Sequence, residues 1–181
     1  MSEDFPVIIT ERLLLRRIVA SDLDNVFKGL SHPEVIKYYG ISFKDREATK
    51  EQMKWYAGLE EKGTGIWWAV CLLNNNEFAG AAGLYYINNQ HRKAETGFWL
   101  LQEYWGKGYI NEAMQEICRY GFEKLNLHRI EAFVETENDN SKKVMEKLTF
   151  QREGTMKDCE IKNGRFISLD IYARLNKKTD L

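Results

Sequence analysis

A chain of 181 residues and 21.3 kDa, 44% hydrophobic and 13% aromatic, has the composition of a globular protein and the volume for one continuous core. Its 26 basic and 27 acidic side chains nearly cancel, so a formal net charge of -1 supplies no overall attraction to nucleic acid or anionic lipid. The acidic start MSEDFPVIIT is unlike a secretory signal, and no apolar run approaches the roughly 20 residues that span a bilayer, so one domain over residues 1–181, cytoplasmic and without a membrane or direct nucleic-acid partner, is expected.

TERLLLRRI predicts a first strand, and SDLDNVFKGL a helix entered through a capping box at Ser21 and Asp24, with Leu23, Val26, Phe27 and Leu30 turned inward. HPEVIKYYG places Pro33 at a first helical position and stops near Gly40; REATKEQMKWYAGLEEKG predicts a further helix ending at Gly63. From Ile66 the pattern changes to three strands, IWWAVCLL, FAGAAGLYYI and KAETGFWLL, joined by turns short enough for antiparallel pairing. The next segment carries Ile110, Ala113, Met114, Ile117, Cys118, Gly121, Phe122 and Leu125 on one helical stripe, fit to pack on a sheet. HRIEAFVET alternates as a strand, NDNSKKVMEKL reads as a short helix, and Asn163-Gly164 joins two last strands as a hairpin. This order describes an α/β (α+β) protein.

The most pointed local signal is Gly106-Lys107-Gly108, directly before the stripe. A helix start carries unpaired N–H groups and the positive end of the helix dipole, so it favours an anion, and glycines let the backbone approach one closely. Amides from Gly106 through Tyr109, Ile110 and Asn111 are thus placed to converge on a diphosphate, with Lys107 adding charge; equally, a lone Gly-x-Gly is a turn that needs positive φ to enter a helix. The phosphate motif Gly-x-x-x-x-Gly-Lys-Ser/Thr is absent, and Asn111 stands where the dinucleotide pattern has its third glycine.

Three groups of residues together resemble the GNAT superfamily of N-acetyltransferases, in its RimJ/RimL-like branch of ribosomal-protein N-terminal acetyltransferases. They are Ala94-Glu95-x-Gly97, then Gly106-Lys107-Gly108-Tyr109 with Glu112-Ala113, then Asn138-x-x-Ser141 followed by Glu146-Lys147-Leu148. The resemblance runs through nearly the whole chain. It implies a mixed central sheet of about seven strands flanked by about four helices, with the fourth and fifth strands splayed so that the pantetheine arm of acetyl-CoA lies between them. The glycine loop would then hold the pyrophosphate. Two positions depart from the family pattern: Glu103 stands where Gln or Arg usually opens the loop, and Thr149 where glycine usually precedes the aromatic.

Acetyl transfer to an amine needs a neutral amine, a polarised thioester and a proton donor for the departing thiolate. The resemblance implies Glu95 as base or water-orienting group and Ser141 as that donor; the bland readings are a solvated strand glutamate and a surface serine. Backbone groups of Phe98, Trp99, Leu100 and Leu101 match the segment that pairs with pantetheine, and Asn138 either caps the following helix or contacts the coenzyme. His32, His91 and His128 are scattered, and Cys71, Cys118 and Cys159 are odd in number and far apart, so neither a metal site nor a disulfide framework is expected. Trp55, Tyr56, Trp67, Trp68, Tyr85 and Tyr86 line either a core or an acceptor pocket. The implied reaction is direct transfer from acetyl-CoA to a primary amine, a protein or peptide N-terminus before a polyamine, amino acid or antibiotic, with a non-catalytic acyl-CoA sensor as a further alternative. Acceptor choice falls to Ser31–Gly63 and Cys159–Arg165, where Glu47, Glu51, Glu60, Glu61, Asp158 and Glu160 would suit a cation. Monomer and homodimer stay open.

Overall fold

The computed structural model describes residues 5–177. Its strands are β1 (Ile8–Ile9), β2 (Leu13–Arg17), β3 (Gly65–Leu72), β4 (Phe78–Asn88), β5 (Lys93–Leu100), β6 (Arg129–Glu135), β7 (Gln151–Lys162) and β8 (Arg165–Leu175), in one sheet ordered β1-β2-β3-β4-β5-β6-β8-β7. The helices are α1 (Leu23–Leu30), α2 (Pro33–Ile36), α3 (Arg46–Glu61), α4 (Tyr109–Glu123) and α5 (Asp139–Lys147). All ladders are antiparallel except β5–β6, which is parallel and holds only Lys93↔Arg129, Ala94↔Ile130 and Glu95↔Glu131 before the strands part. Eight strands and five helices among the described residues agree with the expected mixed sheet of about seven strands and about four helices. The extra two-residue β1 makes the splayed pair the fifth and sixth strands.

The chain winds helices onto both faces. On one, α4 buries Ile110, Ala113, Met114, Ile117 and Cys118, and Gly121 lets it close on Leu84, Leu127 and Ile130, since an added Cβ would lie 3.0–3.2 Å from those side chains. On the other, Gly29 of α1 sits on the Trp99 indole, Leu59 of α3 reaches Gly65, and Trp99 Nε1 donates to the Tyr56 hydroxyl at 3.2 Å. No helix among the described residues is long and apolar enough to cross a membrane.

Local chemistry explains where elements begin and stop, including two departures from sequence expectation. The Ser21/Asp24 capping box does not form. Asp22 takes that place: its carboxylate accepts from Val19 N–H and from both terminal nitrogens of Arg16, each at 2.8 Å, and the chain makes a 3-10 turn over Ala20–Asp22 before α1. Asp22 is 3% exposed, so this bidentate partner satisfies a buried charge. The second helix covers only Pro33–Ile36 instead of running to Gly40. α3 is capped as its sequence allows, by Asp45 Oδ1 accepting from Ala48 N–H, and ends before Gly63 at φ +64°. Asn163 and Gly164 both have positive φ, the geometry of a tight hairpin turn that matches strand twist.

Candidate active site

The site is built where β5 and β6 separate. Leu101 N–H donates to Ala79 O at 2.9 Å, so alternation along the strand turns the main-chain groups of Trp99 toward β4 as well. Those of Phe98 and Leu100 face the gap, where β6 no longer pairs. Of the four residues expected to offer backbone to a pantetheine arm, Phe98 and Leu100 therefore can do so along this edge, whereas Trp99 and Leu101 contribute buried side chains. The Leu100 carbonyl is already engaged by Trp105 Nε1 at 2.9 Å.

After one 3-10 turn over Gln102–Tyr104, the backbone enters the left-handed region at Gly106 (φ +73°) and again at Gly108 (φ +81°), the residue that opens α4. A Cβ at Gly106 would meet nothing within 4 Å, so conformation and not lack of room calls for glycine there. No side chain caps α4, leaving the N–H groups of Tyr109, Ile110 and Asn111 turned outward; Glu112 N–H bonds to Gly108 O at 3.2 Å. Lys107 holds its ammonium 5.4 Å from the centre of the Tyr104 ring. Asn111 Oδ1 is buried and finds no partner among the described residues. Open donors, a nearby cation and an orphaned acceptor fit a phosphate-bearing, amide-bearing ligand. Glu103 does not oppose one, because it turns to α1 and pairs with Lys28, which holds its carboxyl below the usual range.

Glu95 lies at the last paired position before the gap, opposite Tyr85 on β4 and Glu131 on β6. Burial pushes its carboxyl up, a hydrogen bond from Tyr85 opposes this, and the net direction is upward. Its face of the sheet carries an aromatic wall: Trp55 is 5.6 Å from Trp67 and 6.0 Å from Tyr85, and Tyr85 is 5.0 Å from Tyr86, by ring centres. Tyr56 and Trp67 are buried core, while Trp55 and Tyr86 remain exposed, with Tyr86 at φ +49°. Trp68 leaves the set, because strand alternation sends it to the opposite face, against Tyr120 and Phe5. Gly97 gives the wall room: a Cβ there would stand 3.2 Å from the Trp67 ring.

Asn138 caps α5, its Oδ1 accepting from Ser141 N–H at 3.1 Å, and the half-buried Ser141 sits in the first turn. The cap uses only Oδ1 and leaves the amide nitrogen of Asn138 as a donor. The helix is held to the sheet by Asp170 of β8, 3% exposed, which bonds Arg152 and Thr155 and lies 3.4 Å from Lys142. Ser31–Gly63 and Cys159–Arg165, the segments expected to choose the acceptor, meet at Lys162: it donates to Lys37 O at 2.5 Å and pairs with Glu135. Of the acidic residues there, Glu47, Glu51 and Glu60 are matched by Lys50, Lys54 and Arg17, which favours simple solvation for them. Among the described residues no group of three His, Cys, Asp or Glu side chains can hold a metal ion, and Cys71, Cys118 and Cys159 are free thiols.

Three residues carry no signal in the sequence of the groups they act on. Tyr85 reads there only as an aromatic, though its hydroxyl draws the Glu95 carboxyl downward. Thr10 and Arg12 read only as the start of a strand, yet both bond Glu112 on α4. A separation of 100 residues between Arg12 and Glu112 leaves no local signal for that pairing.

The family model for the acetyltransferase (GNAT) domain matches residues 12–151. The "uncharacterized N-acetyltransferase p20" of Bacillus licheniformis is 36% identical over 170 residues, covering 93% of this chain and 96% of the relative. In fold alone the chain is similar to RimL, a ribosomal L7/L12 alpha-N-protein acetyltransferase solved with coenzyme A (TM-score 0.84, 20% identity, 94% of this chain and 98% of the other). It is similar in the same way to spermidine N-acetyltransferase from Vibrio cholerae, solved with CoA and spermine (TM-score 0.83, 24% identity, 93% and 98%). A splayed parallel pair, a glycine loop opening a helix, and a family match across most of the chain agree: this protein belongs to the GNAT family of N-acetyltransferases.

Proposed function

We propose that this protein moves an acetyl group from acetyl-CoA directly to a primary amine in a ternary complex, with the α-amine of a protein or peptide N-terminus as the preferred acceptor, in keeping with the RimJ/RimL-like branch. The observation that carries the coenzyme reading is the pair of positive-φ glycines opening α4 just beyond a strand whose free edge faces the splay. Gly106 to Asn111 would hold the pyrophosphate through N–H groups, Phe98 and Leu100 would bond the pantetheine amides, and the Asn138 amide would donate to the same arm.

In the transfer, the acceptor nitrogen attacks the thioester carbonyl, a C–N bond forms and the C–S bond breaks. Glu95, directly or through one water, takes the proton lost by the amine; Ser141 gives a proton to the thiolate and recovers one from solvent. A carboxyl raised by burial suits the first role, since a base of higher pKa accepts a proton more readily near neutral pH.

A small polycationic amine is the second reading, favoured by the exposed Trp55 and Tyr86 rings beside Tyr85, which lies in the field of Glu95 and Glu160. A turnover screen with acetyl-CoA across N-terminal peptides, polyamines, amino acids and aminoglycosides decides between them. Fastest turnover on peptides supports the first reading, turnover confined to polyamines the second, and coenzyme binding without turnover on any amine would leave only a sensor.

A further inference from the structure

Arg12 stands in the turn between β1 and β2, remote in sequence from the glycine loop, yet all three nitrogens of its guanidinium bond there. Its Nη1 donates to the Lys107 carbonyl at 3.0 Å. Nε and Nη2 bond Glu112 Oε2 at 2.7 and 2.6 Å, and its backbone N–H bonds Oε1 at 2.9 Å. The guanidinium lies 4.8 Å from the centre of the Tyr109 ring, and Thr10 Oγ1 adds a further bond to Glu112. One side chain thus joins the residue between the two glycines to the first turn of α4.

The peptide plane gives this contact a consequence. In a trans peptide the carbonyl of Lys107 and the N–H of Gly108 point in opposite directions within one rigid unit. Fixing the carbonyl fixes the N–H. Gly108 adopts either sign of φ readily, so the Lys107–Gly108 peptide can flip at little cost unless something holds it. Arg12 is the group that holds it. The same guanidinium neutralises Glu112, whose charge would otherwise repel a phosphate at the start of α4.

We propose that Arg12 is a positioning residue for the coenzyme: its grip on the Lys107 carbonyl aims the Gly108 N–H at the pyrophosphate, while its pairing with Glu112 removes a repelling charge. This rests on the assignment of the glycine loop to the pyrophosphate. The planar fork is essential, because the ammonium of a lysine is a single point and cannot serve the carbonyl and the carboxylate in the same geometry.

The test compares acetyl-CoA with acetylpantetheine, which keeps the thioester and lacks the pyrophosphate, in wild type, Arg12→Lys and Arg12→Met, the last keeping an apolar stem beside Tyr109. CoA affinity is read by calorimetry and turnover with the best amine of the screen. Expected are a CoA Kd and an acetyl-CoA KM raised about tenfold or more in Arg12→Met, with kcat at saturation nearly unchanged, no comparable change in kcat/KM for acetylpantetheine, and no rescue by lysine. Wild-type CoA affinity in folded Arg12→Met, or an equal loss on both thioesters, overturns the role of Arg12 while leaving the loop assignment standing. Wild-type protein that fails to bind CoA, or prefers acetylpantetheine to acetyl-CoA, overturns the loop assignment itself and the role of Arg12 with it.

Discussion

Tyr85 stands directly opposite Glu95 in the β4–β5 ladder, and its hydroxyl draws the Glu95 carboxyl downward. This influence favours the ionised carboxylate and so acts against burial, which pushes the carboxyl up. If Glu95 accepts the amine proton, kcat/KM falls as pH drops through its folded pKa. Tyr85→Phe removes the larger of the two influences that lower that pKa, Lys93 being the other, so the acid limb of the pH–rate profile should move to higher pH while the fold persists. An acid limb that stays in place would assign it to another group.

Glu95→Gln is nearly isosteric and cannot accept the proton. General bases contribute about 10² to 10⁴ in rate, so turnover should fall by that range with CoA affinity almost unchanged. Raising the pH neutralises more of the acceptor amine, so the defect should shrink there. Wild-type turnover in this variant, with chemistry shown to limit the rate, would make Glu95 a structural residue of the strand.

Asn138 offers a way to separate capping from ligand contact, because its oxygen serves the cap and its nitrogen is the donor assigned to the coenzyme. Asn138→Asp keeps the capping oxygen, so stability should hold, but it replaces a donor with a negative charge and should weaken CoA binding. Asn138→Ala should lose both, with about 1 kcal/mol of stability from the missing cap. Equal CoA affinity in wild type and Asn138→Asp, by calorimetry, would leave Asn138 as a cap only.

Gly29 limits how the α1 face can change. A Cβ there would fall 2.1 Å from Trp99 Cζ3, inside a ring also packed against Phe78 at 5.8 Å between centres. Gly29→Ala gains about 1 kcal/mol of helix propensity but forces a rigid indole to move, and overpacking of this kind costs about 1–3 kcal/mol or more. Net destabilisation is expected, and because Trp99 lies on the strand that borders the gap, CoA affinity should fall too. A higher melting temperature in Gly29→Ala would show that the helix and indole separate freely.

Much of this architecture is legible in the chain because period and punctuation agree. The α4 stripe from Ile110, the alternation of Ile130, Ala132 and Val134, and the Asn163-Gly164 turn each follow from local rules, and all three form. The capping box at Ser21 and Asp24 does not form because other partners take its place: Asp22, bonded to Arg16 and to Val19 N–H, starts the turn, and Asp24 pairs with Arg46 at 2.8 Å. The β5–β6 gap lies beyond any periodicity, since it depends on pairing that stops after Glu95↔Glu131. Trp67 and Trp68 are adjacent in sequence, and only the register decided which of them joins the wall beside Glu95. Features set by local backbone, such as the positive φ of Gly106 and Gly108, can be read from the chain; contacts made across the fold, such as Arg12 with Glu112 and Tyr85 opposite Glu95, cannot.

Thr149 follows α5 at a position where the family usually has glycine, and the structure keeps the glycine-type geometry with a β-branched residue in it. Its φ is +62°, in the left-handed region. The helix closes with Thr149 N–H to Glu146 O at 3.0 Å and Phe150 N–H to Met145 O at 2.9 Å, the paired bonds of a Schellman end, and Phe150 is buried behind them. A left-handed non-glycine residue costs roughly 1–2 kcal/mol, and glycine gives back roughly 0.5–1 kcal/mol through its greater freedom when unfolded. Thr149 is exposed, so little packing is lost on its removal. Thr149→Gly should therefore stabilise the protein by about 0.5–1 kcal/mol, raising the melting temperature by about 1–4 °C, with Thr149→Asn between the two because asparagine tolerates this region better than a β-branched side chain. CoA affinity should not change, as the turn already has the conformation that glycine would permit. A lower melting temperature for Thr149→Gly would mean that the threonine side chain supplies a contact worth more than the strain of its backbone.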